Sequence, residues 1–211
     1  MLENMPDDVS AKLRDAVGQA IGQLHGIYIL AQNEVGLVLV DMHAAHERIL
    51  YERLKRRLDE GGLKPQPLLV PVTLRVGQET ADLVEEQAVF LRAIGLDVVR
   101  RGPAEVGLVG VPAELLDSDV ESLLRDVLGD LAVGESGEAT GNRVRDRIEH
   151  ILGNMGCKAA IKAGRRLQLA EMNALLRDME GTPRAGHCNH GRPSWVQVDV
   201  AALDRMFMRG Q

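Results

Sequence analysis

The sequence predicts an α+β (mixed α/β) fold, because short apolar runs alternate with longer amphipathic segments. Residues 27–32 and 37–40 are apolar runs on either side of a short polar turn, which is typical of a β-hairpin. Residues 44–58 carry Leu50, Leu54 and Leu58 on one stripe, which predicts an amphipathic helix. A pair of glycines at 61–62 is expected to end that helix.

Further strands and helices are predicted along the rest of the chain. Residues 66–76 carry two prolines within an apolar stretch, which fits an edge strand or a docked extended segment. Residues 16–24 fit either a helix or a strand, and Asp199 is expected to cap a final helix. The other predicted helices are residues 78–94, 118–131, 143–154, 158–163 and 169–179, and the other predicted strands are residues 96–100, 106–111 and 195–198. Residues 133–141 are rich in Gly, Ser and Glu and predict a surface loop at a subdomain boundary.

The composition is that of a globular protein whose core is built from aliphatic side chains. The chain has 211 residues, of which 45% are hydrophobic and only 2% aromatic. No apolar run approaches membrane-spanning length, and the first residues lack the layout of a signal peptide, so we expect a cytoplasmic protein without a membrane partner. The net charge of −6 argues against a broad basic surface that wraps DNA, although it leaves room for a local basic patch.

Residues 41–52 concentrate imidazole and carboxylate groups directly after an apolar run. If that run is a strand and a helix follows, Asp41 lies at the junction. His43 and Glu47 are then four positions apart and share one helix face. A carboxylate, an imidazole and a second carboxylate at a strand end predict half of a divalent metal site.

The two cysteines have three possible roles. Cys157 and Cys188 can form a disulfide, bind a metal or react, or pack as small hydrophobic side chains. In a chain without a secretory signal, a metal or catalytic role is more plausible than a disulfide. Cys188 stands out because His190 follows within a loop rich in Gly and Pro. This loop is the candidate second half of the metal site.

Three motifs taken together resemble the C-terminal endonuclease domain of MutL-type mismatch-repair proteins. They are D-x-H-A-x-x-E at residues 41–47 with Glu52 beyond it, G-C-K at residues 156–158, and C-N-H-G-R-P at residues 188–193. This chain departs from the usual family pattern at Met42, where Gln is common, and at Gly156 and Lys158, where Ala and Arg are commoner. None of these departures removes a candidate ligand.

The resemblance implies a metal site and a nicking activity. The implied metal ligands are Asp41, His43, Glu47, Cys157, Cys188 and His190. Thiolate and imidazole suit a regulatory or structural Zn²⁺, whereas the carboxylates of Asp41 and Glu47 also suit a catalytic Mn²⁺ or Mg²⁺. These two carboxylates are expected to be catalytic, and Lys158 or Arg192 is a weaker candidate for holding the DNA phosphate.

A second motif concerns a protein partner. Residues 66–71, with Gln66, Leu68, Val70 and Pro71, match the segment by which MutL endonucleases are thought to contact the replication sliding clamp. An extended strip with apolar anchors fits a groove on such a partner. The alternative is an ordinary edge strand that delivers Leu68 and Val70 to the core of its own domain. Both interpretations fit the sequence.

The resemblance also implies how the chain is organised. Residues 1–15 are expected to be a linker remnant, residues 16–72 with 142–211 a discontinuous dimerisation and endonuclease subdomain, and residues 73–141 an inserted regulatory subdomain. A homodimer is expected, with DNA, the sliding clamp and, through the full-length protein, the mismatch-recognition protein as partners, and the location is expected to be cytoplasmic and nucleoid-associated. We find no ATP-binding signature in these residues, so nicking by this part alone is expected to be weak.

Two other functions fit parts of the pattern. A dimerisation and partner-docking module with a structural zinc would explain the ligand-type residues without catalysis. A zinc peptidase is disfavoured, because the order of His43, His46 and Glu47 matches neither of the usual helical zinc motifs.

Overall fold

The computed structural model describes residues 16–133, 141–161 and 164–209 and confirms a mixed α+β fold. The elements in chain order are β1 (Gln19–Leu24), β2 (Tyr28–Gln32), β3 (Gly36–Asp41), α1 (Met42–Gly61), β4 (Gln66–Arg75), α2 (Gln78–Glu86), α3 (Ala88–Ala93), β5 (Asp97–Gly102), β6 (Glu105–Val111), α4 (Val120–Val133), α5 (Gly141–Ala159), α6 (Leu169–Glu180), β7 (Trp195–Asp199) and α7 (Val200–Met206). The predicted linker 1–15 and most of the predicted loop 133–141 lie outside the described residues. No described helix is long and apolar enough to cross a membrane.

The described residues divide into two compact units. The first unit takes the chain up to Glu52 and resumes at Ala160, and the second unit takes the residues between. The first unit is therefore discontinuous in sequence. The assignment of dimerisation and endonuclease roles to one subdomain, and of a regulatory role to an inserted second one, remains a prediction.

The first unit is built on a four-stranded antiparallel sheet in the order β1-β2-β3-β7. The predicted hairpin is confirmed as β2 and β3, and the ambiguous residues 16–24 contain the strand β1. Alternation along the strands turns Ile29, Ala31, Val38 and Val40 to one face, where they are fully buried. That face forms a core with the start of α1 and with α6.

The second unit contains a three-stranded antiparallel sheet in the order β4-β6-β5. The predicted edge strand is confirmed as β4, which lies at one side of this sheet. Buried aliphatic residues of β6 and α4, among them Val106, Leu108, Leu124 and Val127, supply the core of this unit.

Two predicted helices differ from the structure. The predicted helix 78–94 is interrupted at Gln87, whose φ of −97° and ψ of 12° end α2 and begin α3. The prediction of two separate helices at residues 143–154 and 158–163 was wrong, because α5 runs unbroken to Ala159. Gly153 and Gly156 lower helix propensity, but burial of Ile151, Leu152 and Met155 offsets that cost.

Candidate metal centre

Asp41 lies at the end of β3, where its side chain caps α1. Its Oδ1 accepts hydrogen bonds from the backbone N–H groups of His43 and Ala44, each at 3.0 Å. Its own N–H donates to the carbonyl oxygen of Ser194 at 2.9 Å. An aspartate at this position satisfies donors that the first turn of a helix leaves open. The carboxylate is therefore fixed at the junction that the sequence predicted.

His43 and Glu47 follow one turn apart on α1. A ligand atom of each lies within 4.8 Å of the other. Glu47 is only 3% exposed, and its Oε1 has no hydrogen-bond partner among the described residues. Burying a carboxylate oxygen without a partner is costly unless a cation compensates. This orphaned oxygen is the property of the first unit that best fits a metal ion.

The loop before β7 brings His190 to Glu47. Gly191 donates its N–H to the Cys188 carbonyl at 3.0 Å and has a φ of +78°, a left-handed conformation that favours glycine. The Cys188 N–H donates to the Arg192 carbonyl at 2.9 Å, which closes the turn. His190 Nδ1 then lies 3.5 Å from Glu47 Oε1. Two stretches far apart in sequence therefore place an imidazole beside the buried carboxylate.

The same loop is fixed to α1 by contacts that sequence reasoning missed. Arg48, only 8% exposed, donates from Nη1 to Asn189 Oδ1 at 3.2 Å and pairs with Glu52 at 2.7 Å. Glu52 lies four residues after Arg48, so helical spacing brings the two side chains together. Nothing in the sequence pattern singled out Asn189, because its role depends on how the loop folds back.

Two histidines of α1 contact the backbone of one residue. His43 Nδ1 lies 3.1 Å from the carbonyl oxygen of Ile161, and His46 Nδ1 accepts from the Ile161 N–H at 3.0 Å. The predicted ligand set does not include His46. Its contact with Ile161 fits a supporting role.

The cysteines and the two candidate phosphate-binding side chains lie in different surroundings. Neither cysteine forms a disulfide, and Cys188 is buried at 3% exposure. Cys157 and Lys158 belong to the last turn of α5 in the second unit. Lys158 pairs with Asp126 at 2.6 Å, and this hydrogen bond raises the pKa of Lys158 above its ordinary value. Arg192 is exposed in the loop of the first unit.

The segment predicted to meet a clamp lies on the edge strand β4 of the second unit. Its register with β6 passes from Pro67 opposite Gly110 to Val72 opposite Leu108, so the residues between them bulge from the ladder. Val70 is 78% exposed and Leu69 fully exposed, whereas Leu68 is half-buried. Gln66 and Pro71 are also exposed. Val70 therefore does not enter the core of its own unit, whereas half-buried Leu68 fits either interpretation.

The chain is similar over most of its length to MutL proteins. The family model described as the MutL C terminal dimerisation domain matches residues 21–167. The DNA mismatch repair protein MutL of Xanthomonas campestris pv. campestris (strain B100) is 52% identical over 195 residues, which is 92% of this chain and 31% of that protein. The MutL proteins of Xylella fastidiosa (strain 9a5c) and Pseudomonas putida (strain GB-1) are 52% and 51% identical over 92% of this chain, and 31% and 30% of their own lengths are covered. The chain thus spans less than a third of the length of these curated relatives. It belongs to the family of MutL C-terminal dimerisation domains.

Proposed function

We propose that the chain acts in DNA mismatch repair as a homodimerising domain with a metal-dependent DNA-nicking centre. The observation that carries the nicking proposal is the buried Glu47 carboxylate, whose Oε1 lacks a hydrogen-bond partner among the described residues and lies beside the imidazole of His190. His43, one turn before Glu47 on α1, adds a second imidazole. Such a group is costly in a core and useful in a metal site.

The proposed ligand set mixes hard and soft donors. It comprises Asp41, His43, Glu47, Cys157, Cys188 and His190. The thiolates and imidazoles would hold Zn²⁺ in a regulatory or structural role, and the carboxylates of Asp41 and Glu47 would hold Mn²⁺ or Mg²⁺. A bound catalytic ion supplies a hydroxide nucleophile at neutral pH and neutralises charge on the phosphodiester.

Contacts within the protein already position several side chains of the first unit for this reaction. Asp41 is held by the first turn of α1, so its carboxylate needs little reorganisation to bind. Burial of Glu47 keeps water from its carboxylate. Exposed Arg192 can reach a DNA phosphate, and Lys158 is the second candidate for that contact, although its ammonium is already paired with Asp126.

The sheet of the first unit supports the homodimer. On the face away from the core, direct pairing aligns Leu39 with Val196 and Leu37 with Val198, while Tyr28 follows on β2. We define the open sheet face as Leu24, Tyr28, Leu30, Leu37, Leu39, Val196 and Val198. An apolar face of this kind is characteristic of a protein interface.

The other proposed partners follow from the family. DNA is the substrate, the sliding clamp stimulates nicking, and the mismatch-recognition protein acts through the rest of the full-length protein. The proposed location is the cytoplasm, at the nucleoid. The ATPase of the full-length protein would add regulation that this part of the chain does not carry.

Metal removal tests the nicking proposal. We expect the purified chain to convert supercoiled plasmid to open circles in Mn²⁺, and excess EDTA to abolish this conversion, because the nucleophile and the phosphate both depend on the ion. Gel quantification of open circles measures the rate, and magnesium in place of manganese serves as a second arm. Nicking at an equal rate in EDTA, or no nicking in Mn²⁺ at high protein concentration with the clamp present, contradicts the proposal.

A docking module with a structural zinc is the second candidate, and buried Cys188 is the observation in its favour. In that case chelation unfolds the first unit, because the binding free energy of a structural zinc is part of the folding free energy. Circular dichroism during chelation, run beside the nicking assay, separates the two. Unfolding without any Mn²⁺-dependent nicking supports the docking module.

The proposed clamp contact predicts that clamp binding can be lost without a loss of basal nicking. We expect a Gln66→Ala and Val70→Ala double variant to lose at least about tenfold of clamp affinity while basal nicking stays unchanged, because an exposed apolar anchor and an orienting amide are removed outside the metal centre. Binding to the immobilised clamp gives the affinity. Val89→Ala is the matched control, since Val89 is an 86% exposed valine on α3 of the same unit. Equal clamp binding by the double variant contradicts the assignment.

A further inference from the structure

Backbone chemistry determines the protonation pattern of the two histidines that contact Ile161. A carbonyl oxygen only accepts, so His43 must donate to Ile161 O from Nδ1 at 3.1 Å. A backbone N–H only donates, so His46 must accept from Ile161 N at its Nδ1 at 3.0 Å. In their neutral forms, His43 carries its proton on Nδ1 and His46 carries its proton on Nε2.

We propose that His46 is a positioning residue for the metal centre, acting on His43 through the backbone of Ile161. This rests on the proposed function of that centre. With Nδ1 donating, His43 has its free lone pair on Nε2 and would bind the ion with that atom. His46 uses its lone pair on the Ile161 N–H, so it has none left for an ion. The two neighbouring histidines thereby take different roles.

The effect of His46 passes through the position of one carbonyl group. Ile161 is half-buried and is held at its N–H by His46 and at its carbonyl by His43. Farther along, Gly164 donates to the Gly26 carbonyl at 2.9 Å, which ties Gly164 to the β1–β2 turn. Loss of the His46 acceptor leaves the Ile161 N–H unpaired and frees the carbonyl that orients the His43 ring. A hydrogen bond to the ring nitrogen that does not bind the metal sets both the orientation and the basicity of a histidine ligand.

Two substitutions separate this positioning role from general packing. His46→Ala removes the acceptor, whereas His46→Asn supplies an amide oxygen close to the position of Nδ1. We expect zinc affinity, measured by chelator competition on the full chain, to fall about 10–100-fold in His46→Ala. His46→Asn should stay within a few fold of the unmodified chain. His25→Asn is the matched control, because His25 is exposed, has a φ of +52° that Asn tolerates, and lies outside the proposed ligand set.

A second measurement reports the histidines without any metal. Long-range ¹H–¹⁵N NMR correlation on the metal-free chain should show His43 protonated on Nδ1 and His46 on Nε2, and His46→Ala should allow His43 to exchange between tautomers. Unchanged zinc affinity in His46→Ala, or His43 protonated on Nε2, overturns the positioning role alone. If the unmodified chain binds no zinc while NMR still gives the expected tautomers, the proposed metal centre is contradicted. The positioning role of His46 is then contradicted as well.

Discussion

Asp41→Asn is expected to fold normally and to lower the rate of Mn²⁺-dependent nicking by at least about 100-fold. This loss is larger than that expected when only a hydrogen bond to a metal ligand is removed. The fold survives because asparagine caps a helix about as well as aspartate, so its amide oxygen accepts the same two N–H groups at the start of α1. The activity is lost because the amide is neutral and binds a hard divalent cation poorly. Plasmid nicking gives the rate, and thermal denaturation verifies the fold.

A second helix-capping aspartate provides the control for the loss of charge at Asp41. Asp199 caps α7 in the same unit, where its Oδ1 accepts from the Ala202 N–H at 2.5 Å. Asp199→Asn should therefore keep full nicking activity and stability. Asp41→Ala is a useful third variant, because it also removes the cap and should lose about 1 kcal/mol of stability. Nicking by Asp41→Asn at the rate of the unmodified chain contradicts a catalytic role for Asp41.

Local pattern was sufficient to predict much of the first unit. Alternation in residues 27–40 predicted the hairpin, and the leucine stripe predicted α1. The junction between them placed Asp41, and helical spacing placed His43 beside Glu47. Each of these features depends on residues close in sequence, where spacing alone determines which side chains are neighbours.

The parts that sequence reasoning missed depend on long-range folding. The contact of Asn189 with Arg48 and that of Ile161 with His46 join residues more than a hundred positions apart, and neither pair carries a spacing signal. The division of α5 was mispredicted for a related reason. Gly153 and Gly156 reduce local helix propensity, and only the buried side chains around them keep the helix continuous.

Val196→Glu is expected to convert the homodimer to monomers. Val196 is 47% exposed on the edge strand β7 and pairs with Leu39 at the centre of the open sheet face. In a monomer the new carboxylate remains in water, so the fold tolerates it. In a dimer that buries this face, the carboxylate loses its hydration without gaining a partner, which costs about 2–5 kcal/mol. The dissociation constant should rise by at least about 30-fold.

Sedimentation over a range of protein concentrations measures this shift. Val99→Glu is the matched control, because Val99 is a 38% exposed strand valine on β5 of the second unit. If the second unit took part in dimerisation through that sheet, Val99→Glu would weaken the dimer instead. A Val196→Glu chain that stays dimeric contradicts the open sheet face as the interface. The outer edge of β1, which no described strand covers, is then the surface to test, because strand edges also pair between copies.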